Sequence, residues 1–284
     1  MRTVRSVADL RGAVREARSA GLSIGLVPTM GALHDGHLSL IRAARAQTGF
    51  VVASLFVNPT QFNEAADLGA YPRQEDRDAR LAAQAGLDLL FAPPADEVYP
   101  AGFATTVTVA GIGDTLEGAH RPGHFAGVAT VVAKLLNMAT PDVAFFGQKD
   151  AQQAAVIRRM ALDLDFPVRI EVLPTVREPD GLALSSRNVR LDAGDRPRAV
   201  ALHDGLQAAA RAAAAGERDA ATVRAAALAA MRSHGVEPDY FEFVDPDTFS
   251  ALLVLNGRTL AVVAARIGST RLIDNALIDT RDTP

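Results

Sequence analysis

The run FVVASLFV, residues 50–57, constrains the fold more than any other stretch of this chain. Apart from Ser54 it has no polar residue and so no face to turn to water, as expected of a strand covered on both sides in a parallel sheet. Around it, strand-like and helix-like segments alternate. SIGLVPT (23–29), DLLFAP (88–93) and VAFFG (143–147) are further short, mostly apolar strand candidates, and VRIEVLPT (168–175) and TTVTVAG (105–111) are also strand-like. Between them HLSLIRAARAQ (37–47), QEDRDARLAAQAG (74–86), GVATVVAKLLNMA (127–139) and the stretch near 150–163 carry helical apolar spacing. Strands separated by helices imply a parallel sheet with right-handed crossovers. In such sheets ligands sit beyond the carboxyl ends of the strands.

The rhythm changes after about residue 190. Two alanine-rich helices, about 196–215 and 219–233, precede three strand-like segments, YFEFVDP (240–246), TLAVVAARIG (259–268) and RLIDNALID (271–279). Helices followed by consecutive strands suggest a separate α+β unit. The expected division is an α/β domain over 1–175 and a smaller α+β domain over 176–284, with no internal repeat.

Composition removes several classes of function. There is no cysteine, hence no disulfide, thiolate nucleophile or cysteine-bound zinc. The formal net charge of −4 argues against a nucleic-acid footprint. No apolar run approaches the roughly 18 residues of a membrane helix, and the first residues show no apolar signal core, so a cytoplasmic location is expected. Only two of the 29 basic residues are lysines, Lys134 and Lys149. In a chain that otherwise uses arginine, a lysine can mark a need for a compact point charge, or simply drift. Lys134, on an apolar helix, is expected to snorkel.

The motifs fall at strand ends. In VPTMGALHDGH (27–37), Gly31 and Gly36 have the spacing of a phosphate-binding P-loop, but His37 and Leu38 stand where that loop needs lysine and a hydroxyl. What remains is His-x-Gly-His where a strand turns into a helix. The helix start would offer N–H groups to a phosphate, Gly36 would allow close approach, and His34 and His37 could donate hydrogen bonds. Two surface histidines in a glycine turn are the plain alternative. FVNPTQF places Asn58 and Gln61 just past a buried strand, as substrate-binding amides or as amides that satisfy loop backbone. FFGQKD brings Lys149 to a helix start behind Gly147, and LSSRN (184–188) offers two hydroxyls and a guanidinium, a phosphate clamp or an ordinary polar turn. His120 and His124 are four apart, but the Gly and Pro between them break any helix, which disfavours a metal pair. Glu75, Asp76 and Asp78 form an acidic, solvated helix start from which a carboxylate could reach a nucleotide-bound magnesium through water.

The order of these motifs is more specific than any one of them. P-T-M-G-A-L-H-x-G-H, F-V-N-P-x-Q-F, Y-P-R, H-F-x-G-V, F-F-G-x-K-D-x-Q-Q and S-S-R-N, in that sequence, closely resemble the pantothenate synthetase (pantoate–β-alanine ligase) family, from about residue 20 to TRLIDN near 275. The resemblance implies a Rossmann-like first domain, a smaller C-terminal lid domain and a homodimer. It also implies ATP-dependent condensation of pantoate with β-alanine through pantoyl adenylate, releasing pyrophosphate and AMP, with Mg2+ on the nucleotide. By the same resemblance, Met30, Gly31, Ala32, Leu33, His34, Asp35, Gly36 and His37 line the ATP site, with His34 and His37 at the phosphates. Gly147, Gln148, Lys149 and Asp150 complete it, with Val176, Leu184, Ser185, Ser186 and Arg187. Lys149 and Arg187 join the two histidines as catalytic groups, Gln61 and Gln153 hold pantoate with Gln61 also near β-alanine, Asn58 adds to the substrate site, and Asp78 is the candidate for magnesium. The sequence departs from the family pattern at Gln148 (usually glutamate), Ala151 (usually aromatic) and Leu184 (usually methionine).

Rival readings are a nucleotidyltransferase that leaves the nucleotide on another small acceptor, and a nucleotide sensor without turnover. The first would need extra arginines for a phosphate acceptor, and the amides Gln61 and Gln153 suit a small hydroxy acid better. A tRNA-charging enzyme is disfavoured by the acidic balance.

Overall fold

A computed structural model describes residues 1–63, 68–69 and 71–281. The chain separates into two compact units, Met1–Gly147 with Gln152–Pro174, and Gln148–Ala151 with the chain from Thr175 on. The segment Gln148–Ala151, expected with the first domain, therefore packs with the second.

In the first unit six strands, β1 (Arg2–Val4), β2 (Ile24–Thr29), β3 (Phe50–Leu55), β4 (Leu89–Phe91), β5 (Val143–Gly147) and β6 (Arg169–Leu173), form one sheet. Its order is β1-β4-β3-β2-β5-β6, and every pairing is parallel. Helices α1 (Val7–Ser19), α2 (Asp35–Gln47), α3 (Glu75–Gln84) and α4 (His124–Ala139) pack on it, and α5 (Ala151–Asp163) links β5 to β6. Helix α2 lies on β2, β3, β5 and α3, while α1 contacts α4 and β2. Apolar side chains on one face of α2, Leu38, Ile41 and Ala44, close on Val27, Val51, Ala53 and Phe145 of the sheet, all buried. The chain winds outward from β2 through β3 on one side and from β5 through β6 on the other. The carboxyl ends of β2 and β5 thus flank the topological switch point, the position where such sheets bind ligands.

TTVTVAG is not a strand. Its residues are mostly exposed and lie outside every strand pairing among the described residues; Val107 N–H donates instead to Thr130 Oγ1 of α4 at 2.9 Å. Its alternating pattern lacked a neighbour with which to build a ladder.

In the second unit α6 (Ala201–Ala214) and α7 (Ala220–Arg232) pack on an antiparallel sheet of β7 (Tyr240–Val244), β8 (Arg258–Ile267) and β9 (Thr270–Asp279), in that order. The alanine faces give the helices a thin apolar stripe. Ala209, Ala213, Val223 and Ala227 are buried against Phe241, Phe243 and Val263.

Candidate active site

Strand β2 delivers the chain into a turn at Met30–His34. Gly31 at φ +89° and Ala32 at φ +52° are consecutive left-handed residues, a conformation natural to glycine and strained for alanine. Two contacts hold it. Asp78 of α3, 0% exposed, accepts from Ala32 N–H at Oδ2 (2.8 Å) and from Leu33 N–H at Oδ1 (2.9 Å). Arg77 beside it donates to the Leu33 carbonyl at 3.2 Å. This corrects the expectation of a solvated acidic helix start at Asp78, while Asp76 is exposed as expected. Asp78 braces the turn: its oxygens accept main-chain N–H groups, and Oδ1 also meets the Arg77 guanidinium at 3.4 Å.

His34 is the N-cap of α2, and the two histidines cap the helix reciprocally. Gly36 N–H donates to His34 Nδ1 (3.2 Å), and His34 N–H donates to His37 Nδ1 (3.4 Å). The ring centroids are 4.1 Å apart. Because each Nδ1 accepts, the neutral form of each ring carries its proton on Nε2, which makes each ring a donor at that atom. The expected open helix start is therefore different: Gly36 N–H is satisfied from within, and His37 N–H bonds the His34 carbonyl at 2.8 Å. Gly36 has a second reason to be glycine. A Cβ there would lie 2.9 Å from His34 Cε1, so a side chain would push the capping ring away.

Past β3, Asn58 is 1% exposed and its amide is committed within the protein. Its Oδ1 accepts from Tyr99 Oη–H (2.8 Å) and Thr60 Oγ1–H (2.9 Å); its Nδ2 donates to Gln61 Oε1 (3.0 Å) and the Gly127 carbonyl (3.1 Å). Asn58 thus holds Gln61, and it leaves the Gln61 amide presenting its Nε2 donors. Burial pushes the Tyr99 hydroxyl above its ordinary pKa, which favours the donor form. The Gln61 main chain is gripped too: His124 Nδ1–H donates to its carbonyl at 2.8 Å and Arg121 at 3.3 Å, while Arg121 also donates to His124 Nε2 at 3.1 Å. The RPGH segment, read for its histidine spacing alone, is this clasp. Gly127 lets α4 approach: a Cβ there would meet the Thr60 carbonyl oxygen at 2.5 Å and Gln61 N at 2.8 Å. Gln153 is half-buried on α5, whereas its neighbour Gln152 is buried and donates to the carbonyls of Ile112 (2.7 Å) and Thr115 (2.8 Å).

Lys134 does more than snorkel. Its ammonium lies 4.5 Å from the Phe103 ring centroid and 5.8 Å from that of Tyr99, a cation–π site.

The second unit holds the other candidates. Gln148–Asp150 is a single 3-10 turn, with Lys149 Nζ 3.6 Å from Asp150 Oδ1. Leu184 N–H donates to the Val176 carbonyl at 3.0 Å, which places Val176 and Leu184 side by side in a short hairpin. Arg196 bridges Glu178 (2.6 Å) and Asp180 (2.7 Å) of that hairpin, and its guanidinium holds the Asp180 carboxyl below its ordinary pKa. Ser185 Oγ accepts from Arg187 N–H at 3.2 Å, and the Arg187 side chain is exposed. Sequence reasoning did not find Asn275, whose amide meets the carbonyls of Gln148 and Lys149, nor the Arg177–Asp274 pair beside it. The only signal was TRLIDN as a motif without a role.

The fold and the first unit's site define an α/β protein of parallel-sheet type, with a histidine-capped helix at the switch point. A model of the Pantoate-beta-alanine ligase family matches residues 2–277. The pantothenate synthetase of Moorella thermoacetica is 52% identical over 283 residues, 99% of this chain and 100% of that protein. A solved pantothenate synthetase from Thermus thermophilus superposes with a TM-score of 0.92 at 48% identity, covering 97% of this chain and 99% of that one. The pantoate–β-alanine ligase of Francisella tularensis, solved in complex with Beta-gamma ATP and β-alanine, has a TM-score of 0.80 at 35% identity, covering 98% and 97%. The chain belongs to the pantoate–β-alanine ligase family, and it is an enzyme that joins pantoate to β-alanine.

Proposed function

We propose that this enzyme works in two half-reactions on one bound ATP. In the first, the pantoate carboxylate attacks the α-phosphorus, pyrophosphate leaves, and pantoyl adenylate forms. In the second, the β-alanine amine attacks the acyl carbon and AMP leaves with the bridging oxygen. The carboxylate is already ionised, so the first step needs alignment and charge stabilisation rather than a base.

One observation carries this reading most. The Nδ1 atoms of His34 and His37 both accept main-chain N–H groups, which makes Nε2–H the donor of each ring on one rigid turn. Such donors suit the β,γ-phosphates as they leave. In this reading the residues that contact ATP are Met30–His37, Gly147–Asp150, Val176 and Leu184–Arg187. Lys149 and Arg187 carry positive charge to the phosphates, and Ser185 and Ser186 add hydroxyls. Gln61 donates its Nε2–H to a pantoate oxygen, its Oε1 being taken by Asn58; Gln153 is the second pantoate amide.

Magnesium belongs to the same reading, but the protein groups do not fit a resident ion. Among the described residues no group of three or more His, Asp or Glu could hold one, and Asp78 is committed to the turn. Magnesium would accompany the nucleotide phosphates. We also read the enzyme as a cytoplasmic homodimer, as the family resemblance implies; no helix among the described residues is long and apolar enough to cross a membrane.

The test is AMP and pyrophosphate release with ATP, magnesium, pantoate and β-alanine, each omitted in turn, using pantoate labelled with 18O in its carboxylate. One label should appear in the phosphate of AMP. Label in inorganic phosphate with ADP as co-product would overturn the route.

A further inference from the structure

We propose that Asn275 is a positioning residue for Lys149, acting through the two peptide planes that flank the lysine; this rests on the reading above that Lys149 serves the phosphates. Asn275 lies on β9 opposite Val262 of β8, 4% exposed. Its Nδ2 donates to the Gln148 carbonyl (2.9 Å) and to the Lys149 carbonyl (3.0 Å), and its Oδ1 accepts from Gln148 Nε2 (3.1 Å). The two carbonyls require the nitrogen of the amide on their side, so the network itself orients Asn275.

The Gln148 carbonyl belongs to the peptide plane before the Lys149 Cα, and the Lys149 carbonyl to the plane after it. Holding both planes from one atom restricts φ and ψ of Lys149, and these set the direction of its Cα–Cβ bond. What remains variable is the side chain's own torsions, in a residue whose side chain is only 16% exposed. A single 3-10 turn has little internal stability, so an outside grip has something to correct.

Asn275 is itself held. Arg177 forms a fork with Asp274 (2.6 and 2.9 Å), Asn275 N–H donates to Asp274 Oδ1 (2.7 Å), and Arg177 also donates to the Asn275 carbonyl (3.3 Å). The rigidity of the antiparallel sheet therefore reaches the lysine through one side-chain amide. Gln148 adds an amide donor that pairs with Asn275 Oδ1, so the grip on this turn runs through side chain as well as main chain.

The experiment is a double-mutant cycle on the full chain, reading pyrophosphate release with saturating ATP and pantoate. Lys149→Ala should lower kcat by about 10²–10³-fold, the scale of one transition-state donor. Asn275→Ala should lower kcat by about 10–100-fold, the scale of a misplaced catalytic group, with the KM for pantoate little changed. The combined variant should match Lys149→Ala to within about 2-fold, because the two losses are one loss. A wild-type rate for Lys149→Ala would overturn the reading of the lysine itself. A full effect of Lys149→Ala with Asn275→Ala either harmless or multiplying with it would overturn the positioning role alone. If Asn275→Ala does not fold, the isosteric Asn275→Asp is read in the same cycle; failure of both to fold would assign Asn275 to folding and overturn the proposal.

Discussion

Replacing Asp78 with asparagine keeps the size of a fully buried side chain but changes its hydrogen-bonding sense and removes the charge that meets Arg77. The carboxylate accepts two main-chain N–H groups, from Ala32 at 2.8 Å and Leu33 at 2.9 Å. An asparagine can accept one and must turn its own N–H toward the other, which strands one buried donor at a cost of about 1–3 kcal/mol. Alanine strands both and should cost about 2–6 kcal/mol by the same count. Ala32 at φ +52° adds to the effect: its left-handed backbone carries roughly 1–2 kcal/mol of strain that the Asp78 contact helps to hold, and without it the turn relaxes. The relaxation displaces His34 and His37, so stability and nucleotide handling should fall together. Asp78→Asn should lower the melting temperature by roughly 2–12 °C, at about 2–4 °C per kcal/mol for a chain of this size. The KM for ATP should rise while the KM for pantoate stays close to wild type, read by initial rates of pyrophosphate release, with stability read by thermal and urea unfolding. An Asp78→Ala enzyme with wild-type urea midpoint and wild-type KM for ATP would refute the brace.

Other outcomes follow from the same geometry. Gly127→Ala should lower both stability and kcat, because its Cβ would lie 2.5 Å from the Thr60 carbonyl oxygen, and main chain cannot swing aside as a side chain would; a wild-type melt with full activity counts against it. Tyr99→Phe removes one donor from Asn58 and should cost about 0.5–1.5 kcal/mol, with its kinetic effect on the KM for pantoate rather than for ATP. The Asp180 carboxyl sits below its ordinary pKa because of Arg196, so its contribution is complete above the unfolded pKa near 3.8 and is lost as pH falls through the lower folded value. Acid unfolding of Arg196→Met should accordingly show a shallower loss of stability below pH 4 than wild type, and identical acid limbs would remove Asp180 from the account.

The parallel sheet was legible because its inner strands, β2 to β5, are almost wholly apolar and buried, the pattern of a doubly covered strand. Helices α2 to α7 showed through their spacing, whereas β1 and α1 were not read; the histidine turn, the amides past β3, the lysine turn and the serine loop were legible as motifs because each is contiguous. What the contiguous pattern could not disclose is which polar groups complete one another. Asp78 meets the turn from 46 and 45 residues away, and Asn275 meets Gln148 and Lys149 from 127 and 126. Read locally, Asp78 is a carboxylate at a helix start and Asn275 an amide in a strand. Only when the sheets have formed, having already met the loop-closure entropy, do these groups lose water and acquire their partners. The same reason explains TTVTVAG, whose alternation suits a strand but which found no ladder, and Asn58, whose amide is filled by Tyr99 and Gly127 from distant parts of the chain. Local sequence determined which chemistry stands at each strand end; tertiary contact decided which of those groups keep donors to offer and which hold the others in place.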